Sequence, residues 1–452
     1  MLTLSHFREK FVRISRFFGL IIVGIVLGQG DPIRINAIQS SLVLDSLNMY
    51  LEKSPNLSHE FKLDSYGLKP PHTTYEIFDH EKIVDTLIVA STEEIRPKIL
   101  YRISSSYAKA PIGSDFDLVG KQLARRYFFL NEIPKYELGL VRKDHIGAII
   151  EIEPWFESHF SGLFGMSKMN QSWDLTGEID LHLENILRTA GMIDLFWKRI
   201  DSLSQVIRFD ILETHPFGWD LGVNWQYHHE VVLGQYTVIE NRSMVQTFVP
   251  WIDQFRLGYV SGRTIPTNDG ESNGYESVVS KAISLASLID YRNDRLLPSR
   301  GFLLNTTADV GLQEQSTFIK GEVEFQYYRT INPAFHGLFK VVGKGIHDFE
   351  NEIPKTRYFI YGGASSMRGY REQQFSDRHY YISTMKLAYK PASFFQADLF
   401  LDHGLSPSGQ YMGYGVGFTQ INKESIIKVQ FALPKRGTLS EGKLHIKWIS
   451  RL

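Results

Sequence analysis

The chain has 452 residues, with 49 Lys and Arg against 50 Asp and Glu, no cysteine, and 22 Tyr, 30 Phe and 7 Trp. Near-zero net charge argues for neither nucleic acid nor acidic partners, and the absent thiols exclude disulfides, thiolate metal sites and a cysteine nucleophile. Mean hydropathy is slightly negative, and the aromatic load suits strand-rich structure, including a membrane barrel with aromatic girdles.

The first residues carry Arg8, Lys10, Arg13 and Arg16, then an apolar run from Phe17 to Leu27, then Gly28-Gln29-Gly30. That order of charge, apolar core and small residues is the pattern of a secretory signal, assigned to residues 1–30. A short membrane anchor is the alternative, but the run falls below the ~20 residues needed to span a bilayer. The mature chain is expected to start near Asp31. Residues 31–75 read as a lead segment and linker, with a short helix over Ile38 to Leu51 and a polar stretch ending in Lys69-Pro70-Pro71-His72.

Residues 76–156 read as a small α/β domain in the order strand, helix, helix, strand, strand. Ile83 to Val89 is the first strand candidate and Pro97 to Tyr107 the first helix. Ser114-Asp115-Phe116-Asp117 resembles a capping box, after which Phe116, Val119, Leu123 and Tyr127 form one apolar helical stripe. Tyr136, Leu138 and Leu140 alternate, as do Ile146, Ala148, Ile150 and Ile152, with Glu151 and Glu153 on the opposite face. An exposed sheet edge here could accept a client strand.

Residues 157–452 form a succession of alternating segments separated by short polar turns. Ile179, Leu181 and Leu183 alternate with Asp180, His182 and Glu184; Ala397, Leu399 and Leu401 alternate with Gln396, Asp398, Phe400 and Asp402. Met412, Tyr414, Val416 and Phe418 alternate with Gly413, Gly415 and Gly417, and Leu444, Ile446 and Trp448 with His445 and Lys447. A soluble sandwich shares this period. Segments of roughly 9–12 residues with charges on one face favour tilted membrane strands around a polar lumen. About sixteen candidates predict an all-β transmembrane barrel, antiparallel and closed, with no exposed edge.

Between a strand ending near His347 and one beginning near Tyr380 lies a long loop containing Gly362-Gly363 and then Met367-Arg368-Gly369-Tyr370. A second motif runs from Asp290 to Gly301, with Arg292, Asp294 and Pro298 between them and Asn293 where a second acid is expected. Together these resemble the outer-membrane assembly and two-partner secretion superfamily, also called the bacterial surface antigen family, over roughly residues 76 to 452. Asn185 to Trp197 and Thr214-His215-Pro216-Phe217-Gly218 resemble its further hairpins, and residues 76–156 its polypeptide-transport-associated (POTRA) module.

The resemblance implies that Arg368 folds into the lumen and pairs with wall acids. Asp402, and with it Asp398, stands on the face assigned to the lumen, in the strand that runs to Asp402-His403-Gly404. Where the family usually carries a wall glutamate, four residues before the proline of the strand after the loop, this chain has Leu387 before Pro391. The C-terminal Trp448-Ile449-Ser450-Arg451-Leu452 continues beyond the aromatic on which family members commonly end.

No Gly-x-Ser-x-Gly elbow, His-Glu-x-x-His or phosphate-binding loop occurs, and His228-His229-Glu230 reads as a polar strand end. No enzymatic activity, metal or cofactor is expected. The resemblance implies a barrel in the outer membrane with its N-terminal domain in the periplasm. It would insert β-barrel proteins or translocate a partner, through a seam near Phe160 to Lys168 and Leu444 to Trp448. Expected partners are outer-membrane lipid, unfolded outer-membrane or secreted clients and periplasmic accessory proteins, not nucleic acid. A passive pore or surface receptor is the alternative, and an outer-membrane hydrolase a further one.

Overall fold

The computed structural model describes residues 33–37, 39–53, 59–79, 84–110, 114–142, 145–169, 172–201, 203–249 and 251–452. The signal assigned to residues 1–30 lies outside them. The lead segment contains β1 (Ile33–Ile35), α1 (Ser40–Lys53), β2 (His59–Leu68) and β3 (Pro71–Asp79), with the three strands in the order β1-β3-β2. The proline-rich stretch read as a linker is the turn of the β2–β3 hairpin, where Leu68 pairs with Pro71. Adjacent prolines end one strand and begin another as readily as they mark a linker.

A second unit comprises β4 (Thr86–Ser91), α2 (Pro97–Ser104), α3 (Ser114–Arg126), β5 (Lys135–Arg142) and β6 (His145–Ile152). Strand β6 is central, parallel to β4 and antiparallel to β5. Pro97 sits in the first turn of α2, where its missing N–H has no intrahelical acceptor to lose. Ile99 and Ile103 from α2, Phe116 and Leu123 from α3, and Tyr127 just after it form one buried core with Ala148, Ile150 and Ile152 of β6. Each large side chain so buried contributes about 1.5–3 kcal/mol.

The remaining chain forms the barrel. Its strands are β7 (His159–Met169), β8 (Ser172–Glu184), β9 (Met192–Arg199), β10 (Gln205–Glu213), β11 (Gly222–Val232), β12 (Tyr236–Val249), β13 (Asp253–Pro266), β14 (Val278–Asp290), β15 (Gly301–Gln313), β16 (Ser316–Asn332) and β17 (Phe335–Asp348). After the short pair β18 (Phe359–Tyr361) and β19 (Phe375–Asp377) come β20 (His379–Ala392), β21 (Phe395–Ser406), β22 (Gly409–Ile421), β23 (Ser425–Pro434) and β24 (Lys443–Arg451). Sixteen strands close antiparallel, β24 returning to β7, while β18 and β19 form a separate hairpin.

The barrel is inverted relative to a water-soluble core. Leu399, Leu401 and Leu405 of β21, Tyr414, Val416 and Phe418 of β22, and Leu444, Ile446 and Trp448 of β24 are exposed, whereas Asn224, Arg242, Ser284, Asp309, Asp398 and Asp402 are buried. Apolar side chains outside and polar ones inside suit a wall solvated by lipid. No helix among the described residues is long and apolar enough to cross a membrane. Inside, Arg242 on β12 makes bonds of 2.8 and 2.9 Å to Asp309 on β15 and is 3.0 Å from Glu240. Lys320 on β16 lies 3.5 Å from Glu240 and 3.2 Å from Glu322, and Glu322 2.6 Å from Lys344 on β17. These alternating charges compensate one another where a lone one would be costly.

Candidate functional site

The connection from β17 to β20, residues 349–378, folds into the lumen instead of standing out from it. Arg357 donates to Ser280 on β14 at 2.9 Å and lies over the Phe318 ring, and the β18–β19 hairpin carries the chain inward. Gly362 and Gly363, both at positive φ, open the tight turn that follows. Gly362 N–H bonds the Ser366 hydroxyl at 2.8 Å, Gly363 N–H the Met367 carbonyl at 3.1 Å, and Ala364 N–H the Glu372 carboxylate at 2.8 Å.

The turn delivers Met367-Arg368-Gly369-Tyr370 to the wall made by β20, β21 and β22. Arg368 donates through Nε and Nη2 to the two oxygens of Asp402, each at 2.7 Å, and its backbone N–H reaches Oδ2 at 3.3 Å. Asp402 is fully buried and also accepts the Thr384 hydroxyl at 2.7 Å. The guanidinium sits 3.5 Å above the centre of the Phe400 ring. A bidentate, stacked geometry of this kind is open to arginine and not to lysine.

The flanking residues complete the seat. Met367 is fully buried among Tyr361, Tyr380 and Ile382 and covers Gly404, where a Cβ would stand 3.4 Å from its sulfur. Gly369 has φ +89°, and a Cβ there would lie 2.6 Å from the Leu433 backbone. The Tyr370 hydroxyl donates to the Met412 carbonyl at 3.1 Å. At Gly413 of β22 a Cβ would lie 2.0 Å from the Arg368 carbonyl oxygen. Gly413→Ala is therefore expected to cost about 1–3 kcal/mol. The check is a lower temperature for loss of the compact electrophoretic form, with Gly321→Ala, which meets nothing within 4 Å, as the unaffected control.

Two sequence expectations about the wall need correction. Asp398 faces the lumen but makes no bond to Arg368, and its Oδ1 has no hydrogen-bond partner among the described residues. Leu387 is exposed on the outer face, because strand parity turns Thr384, Lys386 and Ala388 inward. Thr384, invisible as a candidate in the sequence, is the second wall group on Asp402. Glu372 was also missed. It lies 2.9 Å from Lys198 on β9, and Gln373 donates to Glu230 on β11 at 2.7 Å, so the loop bridges two walls of the lumen.

The Asp290–Gly301 motif folds as the β14–β15 turn. Asp290 takes bonds from Arg292 at 2.7 and 2.9 Å, Asp294 caps the Leu296 and Leu297 amides at 2.8 and 2.7 Å, and Pro298 precedes Gly301, at φ +100°. Asn293, in place of the expected acid, accepts the Ser299 and Arg300 amides at 3.0 and 2.9 Å. Arg295 reaches the Trp155 carbonyl at 2.9 Å and Glu157 at 3.3 Å. Of His228-His229-Glu230, only His228 and Glu230 share the lumen face, 3.2 Å apart, and no group of metal-ligating side chains occurs among the described residues.

The α2/α3 unit docks on the turns at its end of the barrel. Arg125 pairs with Asp253, Arg126 lies 2.8 Å from Asp220, and Arg96 N–H bonds the Arg188 carbonyl at 2.8 Å. His215, in the β10–β11 turn, is buried with Nδ1 2.7 Å from the Trp219 carbonyl, which makes Nδ1 the protonated nitrogen. Nε2 then accepts the Tyr127 hydroxyl at 2.7 Å. Burial pulls the imidazole down to about 4, against the Trp219 bond and with help from Arg126. The undocked ring, at ~6.5, binds more protons between these values, so docking is fully stable above pH ~6.5 and loses up to about 3 kcal/mol as pH falls toward ~4. Hydrogen exchange of the β10–β11 turn amides should accelerate over that window and His215→Gln should flatten the slope; an unchanged slope in the variant refutes the assignment.

The closing seam differs from every other barrel ladder. β7 pairs with β8 from His159↔His182 to Met169↔Ser172, and β24 with β23 from Lys443 to Ser450. Between β24 and β7 four pairs are made among the described residues, Trp448↔Gly162, Ile449↔Ser161, Ser450↔Phe160 and Arg451↔His159. The seam differs from the expected segments on both strands: on β24 it is displaced toward the C-terminus, because the strand continues past Trp448, and on β7 it is confined to the N-terminal end, His159 to Gly162.

An inverted sixteen-strand barrel, a loop folded into its lumen and a docked α/β unit define an outer-membrane β-barrel protein. Residues 193–425 match the Omp85 superfamily domain, and the chain belongs to that superfamily. Its structure is similar to BamA from Haemophilus ducreyi lacking POTRA domains 1-3, at 14% identity and TM-score 0.53, covering 91% of this chain and 93% of that one. It is also similar to CdiB from Escherichia coli, at 13% identity and TM-score 0.61 over 91% and 84% of the chains, and to CdiB from Acinetobacter baumannii, at 10% identity and 0.59 over 91% and 81%. No curated protein matches the sequence.

Proposed function

We propose that this barrel assists insertion of β-barrel proteins into the outer membrane, or translocation of a partner across it, with its α/β unit in the periplasm. The observation that carries the reading is the four-pair seam in a barrel whose other ladders are long. Unpaired backbone in lipid is costly, so a short seam invites a client strand that satisfies those groups. The loop carrying Met367-Arg368-Gly369-Tyr370 braces the wall while the seam changes. Clients arrive by edge pairing at the α/β unit, which periplasmic accessory proteins assist, and the mechanism is non-enzymatic. Covalent closure of the seam is the test. A locked barrel must lose client assembly, and one that retains it refutes the reading.

A further inference from the structure

Closure of the seam carries a charge across it. Lys447 stands on β24, and its ammonium passes over β7 to reach β8, 3.2 Å from Asp180 and 3.7 Å from Glu178 Oε1. Glu178 is shared, for its Oε2 lies 3.4 Å from Lys198 on β9. Lys198 is shared in turn, 2.9 Å from Glu372 Oε2, and Glu372 Oε1 takes the Ala364 N–H in the turn that delivers Arg368. Cation, anion, cation and anion alternate from the seam to the loop.

We propose that Lys447, Glu178, Lys198 and Glu372 form a relay by which the state of the seam sets the hold on the lumenal loop. The inference rests on the seam being the gate. Glu178 and Lys198 are only 16% and 14% exposed, so each is screened less than a surface charge and responds to loss of a neighbour. When β24 leaves β7, Lys447 leaves with it. Glu178 then keeps Lys198 as its ion-pair partner among the described residues, with Arg208 acting on it only at longer range, and Lys198 shifts toward it and away from Glu372. With Lys198 withdrawn, Glu372 holds the Gly363-Ala364 turn more weakly, and the loop loosens while Arg368 stays on Asp402. The coupling is reciprocal, so loosening the loop also weakens the seam.

The test uses the whole chain in lipid vesicles, with one nitroxide on Ser365→Cys, an exposed position in the loop turn of a protein without cysteine. Lys447→Met is expected to raise the ratio of mobile to immobile label about fivefold or more, the lower end of usual coupling strengths. Glu178→Gln should do the same, and the double variant should do no more than either single one. Lys340→Met, which breaks a lumenal pair with Glu324 on another wall, should leave the label unchanged. An unmoved label in Lys447→Met, additive effects in the double variant, or an equal response to Lys340→Met overturns the relay. If any of these is found while a cross-linked seam still blocks client assembly, the relay alone falls. If the cross-linked seam permits assembly, the gate falls with it.

Discussion

Replacing Ile449 and Ser161 with cysteine and oxidising the pair is expected to abolish client assembly, and reduction to restore it. The two residues are direct partners across β24 and β7, and antiparallel partners stand 4.5–5.5 Å apart at Cα, within the 4.4–6.8 Å that a disulfide spans. The chain contains no cysteine, so the introduced pair has no competitor. Val310 and Ile319, partners on the exposed face of β15 and β16, provide a lock that leaves the seam free and should leave assembly intact. A passive pore would conduct equally with either lock. Equal assembly by both locked barrels sinks the proposed gate.

Arg368→Ala is expected to have the second large effect. It strips a fully buried Asp402 of two of its four bonds and of its counter-charge, leaving only the residue-368 backbone N–H and the Thr384 hydroxyl, and orphaning one partner of a buried pair costs about 3–5 kcal/mol. Protease added to intact vesicles should then cut within residues 349–378, and the compact electrophoretic form should be lost at lower temperature. Asp402→Asn should act in the same direction. The double variant Arg368→Met with Asp402→Leu removes both charges and should recover much of the stability. It should not recover client assembly, because Arg368 no longer holds the loop to the wall. Charge reversal at either position should impair assembly more than folding of the α/β unit. Full assembly by both single variants defeats the proposed role of the pair.

Much of the barrel was legible because lipid on one side and a polar lumen on the other impose period two. Asp402 could be placed on the lumen face from Ala397, Leu399 and Leu401 alone. The same logic, applied to parity instead of to a family position, would have turned Leu387 outward and Thr384 inward. What stayed hidden depends on closure. The Glu372–Lys198 contact joins residues 174 apart in sequence, and no local pattern encodes which wall a loop meets. The glycines at 413, 415 and 417 were visible as the inward half of β22, but their reason was not. Cβ atoms there would strike the Arg368 carbonyl, the Phe431 carbonyl and the Asp398 carboxylate. The lead segment hid for another cause, since β2 and β3 are polar and their pairing is recognisable only with the hairpin turn identified.

The docked α/β unit touches the barrel unevenly. Its contacts, and those of the segment linking it to β7, fall on the turns β8–β9, β10–β11, β12–β13 and β14–β15, through Arg188, His215, Asp220, Asp253 and Arg295. All of these belong to one half of the wall, the half that begins at β7; on the other side the linking segment makes one bond, from the Leu452 N–H to the Ser158 carbonyl at 2.9 Å. A pull or twist applied to the N-terminal segment therefore loads the β7 jamb of the seam through many contacts and the β24 jamb through the single Leu452 bond, so in the proposed gate β24 is the less restrained strand.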